Sequence, residues 1–132
     1  MQGRDFLTAV QHLAEHPDEP SLRSSISRSY YAAYLEARSF CEAVLGYTRT
    51  RSSAEHQDIP KLLDSIDKDL VVKLRFLRSR RNMADYDLDV SLATIAGNVP
   101  VAERFAAEII AALDAHADAL NSSEVDTPDA TP

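Results

Sequence analysis

Tryptophan is absent from this 132-residue chain, glycine occurs three times and cysteine once. Few glycines leave little of the left-handed backbone that tight β-turns require, and the abundant Ala and Leu favour helix. The lone Cys41 cannot close an intramolecular disulfide, which suits a reducing cytosol. Its place in an apolar helical stripe reads as a small buried hydrophobe. No run of about twenty apolar residues is long enough to cross a bilayer, and no basic-then-apolar leader precedes the first helix. His, Cys and carboxylate residues nowhere share metal-ligand spacing, so neither a metal nor another cofactor is expected. Glycine-rich phosphate loops, nucleophile elbows and helix-turn-helix signals are missing too, which leaves kinase, hydrolase and operator-binding functions without support. Positive charge is also short, with 14 Lys and Arg against 21 Asp and Glu for a net charge of −7. That balance excludes a protein whose whole surface binds nucleic acid non-specifically, but not a local basic site. A cytoplasmic protein that does not enter membranes is expected.

The length fits one domain with a single core. Phe6, Leu7, Val10, Leu13 and Ala14 predict a first amphipathic helix, ended by the prolines at 17 and 20. Leu22, Ile26, Tyr30, Ala33, Ala37, Phe40, Cys41 and Val44 recur at offsets of three and four, predicting a long second helix capped by Gly46. Residues 47–53 read as a loop. Ser52 and Glu55 have capping-box spacing, but Pro60 argues for a third helix starting nearer Asp58. A fourth helix is predicted over 69–85, with Leu70, Leu74, Leu77 and Ala84 inward. A fifth is predicted from near Ser91 to Leu120, kinked or split at Gly97 and Pro100. The domain therefore spans 1–120, and 121–132 is expected to be a disordered tail. The fold class is all-α, an antiparallel bundle of about five helices.

The fourth helix carries the chemistry. Lys73, Arg75, Arg78, Arg80 and Arg81 place five of the fourteen basic residues within nine positions of an acidic protein. Arg78, Arg81 and Asp85 share one strip of helix surface beside Asn82 and Tyr86, and Arg81 and Asp85 have the spacing of an ion pair. Arg28 is expected to tie the second helix to Asp85 or its neighbours. Tyr31 and Tyr34 turn toward a different face from the core residue Tyr30, and aromatics beside arginines can stack bases. Val72, Phe76 and Met83 form a second apolar strip on the fourth helix, which predicts a homodimer through that region.

The stretch Ser27-Arg28-Ser29-Tyr30-Tyr31-Ala32, the mid-chain His56, and Leu77-Arg78-Ser79-Arg80-Arg81-Asn82-Met83-Ala84-Asp85-Tyr86-Asp87 together resemble the HEPN superfamily. The likeness is to its small stand-alone branch with an Ala-Asp-Tyr motif, and it spans residues 22–89. It implies a homodimer with the polar motif of the fourth helix lining a cleft at the seam. It also implies a place in prokaryotic toxin–antitoxin or phage-defence modules, often beside a nucleotidyltransferase. Catalytic relatives carry Arg followed four to six residues later by His, which suits metal-independent RNA cleavage. Counted from Arg80, the His position holds Asp85, and an ionised carboxylate beside guanidiniums is no acid and a weak base. Arg51 and His56 have comparable spacing, but they precede the third helix.

Two functions follow. One is a binding module for RNA, a nucleotide, a nucleotidyltransferase antitoxin or another defence protein, using Arg28, Tyr31, Arg78, Arg80, Arg81 and Asn82. The other is an endoribonuclease in which Arg81 and Asp85 are joined by His56 or Tyr86 in place of the missing imidazole.

Overall fold

The computed structural model describes the backbone of residues 1–125 and side chains through 122. It is an all-α helical bundle. A short 3₁₀ turn, Gly3–Asp5, leads into α1 (Phe6–Ala14), α2 (Glu19–Val44), α3 (Glu55–Leu63), α4 (Lys68–Tyr86) and α5 (Leu92–Val125).

Local signals set most boundaries. Asp18 caps α2 by accepting from the Ser21 N–H at 3.0 Å, and Pro20 sits in the first turn, where its missing N–H costs nothing. Gly46 adopts φ +69° and lets the Tyr47 N–H reach back to the Cys41 carbonyl at 3.0 Å, closing the helix as its sequence position predicts. Asp67 caps α4 through the Leu70 N–H at 3.0 Å.

Three boundaries differ from the sequence reading. Helix α3 begins at Glu55 and contains Pro60, whose ring is buried rather than clashing. Ser52 and Glu55 form no capping box. The Ser52 hydroxyl bonds Thr50 Oγ1, and the Glu55 carboxylate takes the Arg51 N–H instead. Helix α5 runs through Gly97 and Pro100 without a break, because Ile95, Val99, Ala102, Ala106 and Ile109 are buried on both sides of the proline and hold one stripe against the core. It also continues past Leu120 to Val125, so 121–125 are helical, while 126–132 lie outside the described residues.

The helix directions follow from cross-contacts. Arg23, early in α2, bonds carbonyls at the end of α4, and Asp67, before α4, meets His116 late in α5. Helix α4 therefore runs antiparallel to both neighbours, and α2 and α5 run the same way. Ile26, Tyr30, Leu70, Leu74, Leu77, Ile95 and Ile109 form the centre of the core. Arg4 bridges Glu36 on α2 and Asp114 on α5 at 3.0 and 2.7 Å, fastening the N-terminal turn across them.

Phe76 packs edge-on against Phe105 at 5.1 Å, and Met83 lies against the core. Of the second apolar strip on α4, only Val72 remains exposed, at 66%. A neighbouring helix covers what the sequence reading assigned to a partner subunit.

Candidate functional site

Helices α2, α3 and α4 bring three separate sequence stretches to one place. Tyr30 and the adjacent Tyr31 lie one turn of α2 before Tyr34, and His56 enters from the start of α3. The His56 ring stacks on Tyr34 at 4.4 Å and lies 6.3 Å from Tyr31, centroid to centroid. The Tyr30 hydroxyl is 2.5 Å from His56 Nδ1. Burial pushes the Tyr30 phenol well above its usual range, so it stays protonated and holds the ring at Nδ1. Burial first, then the charges of Arg78 and Arg81, hold the imidazole below its usual range.

Arg81 approaches the same aromatic group from α4. Its guanidinium carbon lies 5.3 Å from the Tyr31 ring and 5.4 Å from the Tyr86 ring, and Nη2 donates to the Tyr31 hydroxyl at 2.8 Å. Nη1 donates to Asn82 Oδ1 at 2.9 Å. Nε sits 3.0 Å from Asp85 Oδ2, but its N–H is not directed at the oxygen, so this is an ion pair rather than a hydrogen bond. Asp85 also accepts from the Ser27 hydroxyl at 3.1 Å. The expected Arg81–Asp85 pair is thus present, 16% and 28% exposed at the two side chains. Both terminal nitrogens of Arg81 are thus engaged, Nη2 also reaching the Tyr86 hydroxyl at 3.5 Å.

Other assignments need correction. Arg28 makes no bond to Asp85. It lies over the Phe6 and Tyr31 rings at 5.4 and 5.6 Å, and Ser27 holds Asp85 instead. Arg80 leaves the cluster, its guanidinium 4.5 Å over Phe76 on the side that faces α5. Tyr86 is 71% exposed beside Arg81.

Arg78 has no acidic partner among the described residues, and neither do Arg75 and Lys61. These three cations, with His56, Gln57 and Pro60, line a hollow of about 130 Å³ between α3 and α4. Lys61 was not singled out from the sequence, since nothing in its spacing to α4 shows that α3 folds beside it. Among the described residues no group of His, Cys, Asp or Glu could hold a metal ion, and no helix is long and apolar enough to cross a membrane.

Glu55 secures the loop that precedes this site. Only 4% exposed, its carboxylate accepts the Arg51 N–H at 3.0 Å and the Tyr34 hydroxyl at 3.4 Å, with Arg38 at 3.5 Å. Arg51 adopts φ +58°, a strained conformation for a side chain of its size. The Arg51 N–H, followed by Arg38 and Arg49, holds the carboxyl below the ordinary glutamate range. A depressed pKa contributes stability above the unfolded value, and that contribution is lost as pH falls through the folded one. Denaturant titrations between pH 7 and pH 3 should therefore show a fall in stability that is shallower in Glu55→Gln. Identical slopes would mean that the carboxylate is not coupled to folding.

No protein-family model matches the chain, and no solved structure matches it. An uncharacterized protein of Methanocaldococcus jannaschii is 30% identical in an alignment 95 residues long, with 58% of this chain and 54% of the archaeal one covered. The chain thus aligns with about half the length of that relative.

Proposed function

We propose that this chain is a non-catalytic RNA-binding module of the HEPN type. The observation that carries the reading is the grouping of unpaired Arg75, Arg78 and Lys61 beside the Arg81–Tyr31–Tyr86 cluster, in a protein that is otherwise acidic. Cations without carboxylate partners suit phosphates, and an exposed tyrosine next to a guanidinium suits a stacked base. Proton transfer is poorly served. His56 Nδ1 is engaged by the Tyr30 hydroxyl, and Asp85 by Arg81 and Ser27.

Fluorescence anisotropy with a labelled single-stranded RNA should show salt-sensitive binding. Arg78→Ala is expected to weaken it about tenfold and to flatten the salt dependence by about 0.7 in log–log slope. The RNA should stay intact in the presence of EDTA. Robust metal-independent cleavage, lost in both Arg81→Ala and His56→Ala variants of unchanged stability, would establish the endoribonuclease reading instead.

Following the HEPN resemblance, the setting we propose is a prokaryotic toxin–antitoxin or phage-defence module. A second copy of the chain, or a nucleotidyltransferase-type partner encoded alongside, would find exposed Tyr86, Leu88 and Leu92 at the α4–α5 corner. Sedimentation of the chain alone and with the product of the neighbouring gene tests both; a monomer in every mixture removes them.

A further inference from the structure

We propose that the hollow between α3 and α4, lined by His56, Gln57, Pro60, Lys61, Arg75 and Arg78, is a site for one terminal phosphate group, the dianion of a phosphate monoester. The inference rests on the RNA-binding reading for the source of that phosphate, but its chemistry stands on the hollow itself.

Size is the first argument. A hollow of about 130 Å³, open on one side, accommodates a phosphate group and leaves room for the rest of its ligand outside.

Charge is the second. Lys61, Arg75 and Arg78 face the hollow with no carboxylate paired to any of them among the described residues. A monoester with its second pKa near 6 carries about −1.5 to −2 at neutral pH and gives three equivalent acceptor oxygens, against one charge for a diester. Guanidiniums offer forked donors to such oxygens, and Lys61 adds a mobile point charge.

Orientation is the third. The Tyr30 hydroxyl fixes the His56 ring through Nδ1, so Nε2 is the ring nitrogen left without a partner among the described residues. The groups that surround this ring are Tyr30, Tyr31, Tyr34 and Arg38 from α2, Glu55 from α3, and Arg78 and Arg81 from α4. Burial, and after it the cations on α4, hold the imidazole below its usual range, and an anion seated among those cations relieves their share of that shift.

The test uses the full chain and one RNA sequence in three forms, with a 5′-phosphate, a 3′-phosphate or hydroxyls at both ends, together with a nucleoside 5′-monophosphate and inorganic phosphate. Affinity is read by anisotropy or calorimetry, and the His56 ring by NMR, its resonance assigned with His56→Gln. A phosphorylated end should bind about tenfold or more tightly than the hydroxyl form, raise the His56 pKa, and lose both effects in Arg75→Ala/Arg78→Ala. Neither arginine is paired in the fold, so thermal melting should show that double variant folded. The same two effects with the mononucleotide, while RNA of every form fails to bind, would support the phosphate site and reject RNA as its source. Equal affinity for all three RNA forms, with no response of His56 to inorganic phosphate or mononucleotide, would overturn the phosphate site and leave RNA binding standing.

Discussion

Arg23→Ala should lower the unfolding free energy by about 3–5 kcal/mol, at about 1–3 kcal/mol for each buried carbonyl left without a donor, and the melting temperature by about 10 °C or more, the largest loss expected from any polar side chain here. Arg23 is 8% exposed on α2, and its guanidinium gathers the end of α4. Nη1 donates to the carbonyls of Met83, Ala84 and Asp87 at 3.3, 3.0 and 2.9 Å, and Nη2 to that of Val90 at 3.1 Å. The Met83 and Asp87 carbonyls also accept backbone N–H groups, from Asp87 and Val90 at 3.0 and 3.4 Å, whereas those of Ala84 and Val90, at the end of α4 and the turn into α5, rely on the guanidinium. Truncation strands these two beneath α2. Glu19, 41% exposed at 3.0 Å, supplies an ordinary i,i+4 pair whose removal should cost about 0.5 kcal/mol. Urea denaturation of Arg23→Ala and Glu19→Ala separates the two. Similar small losses would mean that water replaces the guanidinium at the α4 end.

Gly3→Ala is expected to cost about 2–3 kcal/mol, unusual for a position so near a terminus. A Cβ at Gly3 would stand 2.8 Å from Leu35 Cβ, 2.9 Å from the Ala32 carbonyl oxygen and 2.9 Å from the Glu36 nitrogen. Two of these three neighbours are backbone of α2, which cannot move aside as a side-chain tip could. The 3₁₀ turn must therefore lift, and lifting it breaks the Arg4 bridge to Glu36 and Asp114. Calorimetric melting of Gly3→Ala against Arg4→Ala checks this. An unchanged melting temperature in Gly3→Ala would show that the turn does not hold α2 and α5 together.

Helix phase was legible in the sequence because burial repeats locally: the α2 stripe from Leu22 to Cys41 and the α4 stripe of Leu70, Leu74, Leu77 and Ala84 are buried as read. Proline was given too much weight. Pro60 and Pro100 each forfeit one backbone bond, but the apolar stripes of α3 and α5 continue on both sides and outweigh it. The Arg81–Asp85 pair could be read because it lies within one helix. Arg23 could not, since beside Glu19 it looks like a surface i,i+4 pair, and its carbonyl acceptors lie 60 or more residues away. The same limit hid Lys61 and misdirected Arg28 and Arg80, whose neighbours belong to other helices. His56 packs against the tyrosines of α2, with Nδ1 at the Tyr30 hydroxyl rather than at open solvent.

On the RNA-binding reading proposed above, the unpaired cations on a protein of net charge −7 also shape how an anionic strand arrives. In dilute salt the Debye length of about 30 Å exceeds the radius of the domain, and an approaching polyanion meets the field of the whole acidic molecule. Near 0.15 M that length shrinks to about 8 Å, the distant carboxylates fade, and the strand meets only the arginine face. Encounter is then fastest at an intermediate ionic strength, where long-range repulsion is screened and short-range attraction persists, while departure quickens with every addition of salt.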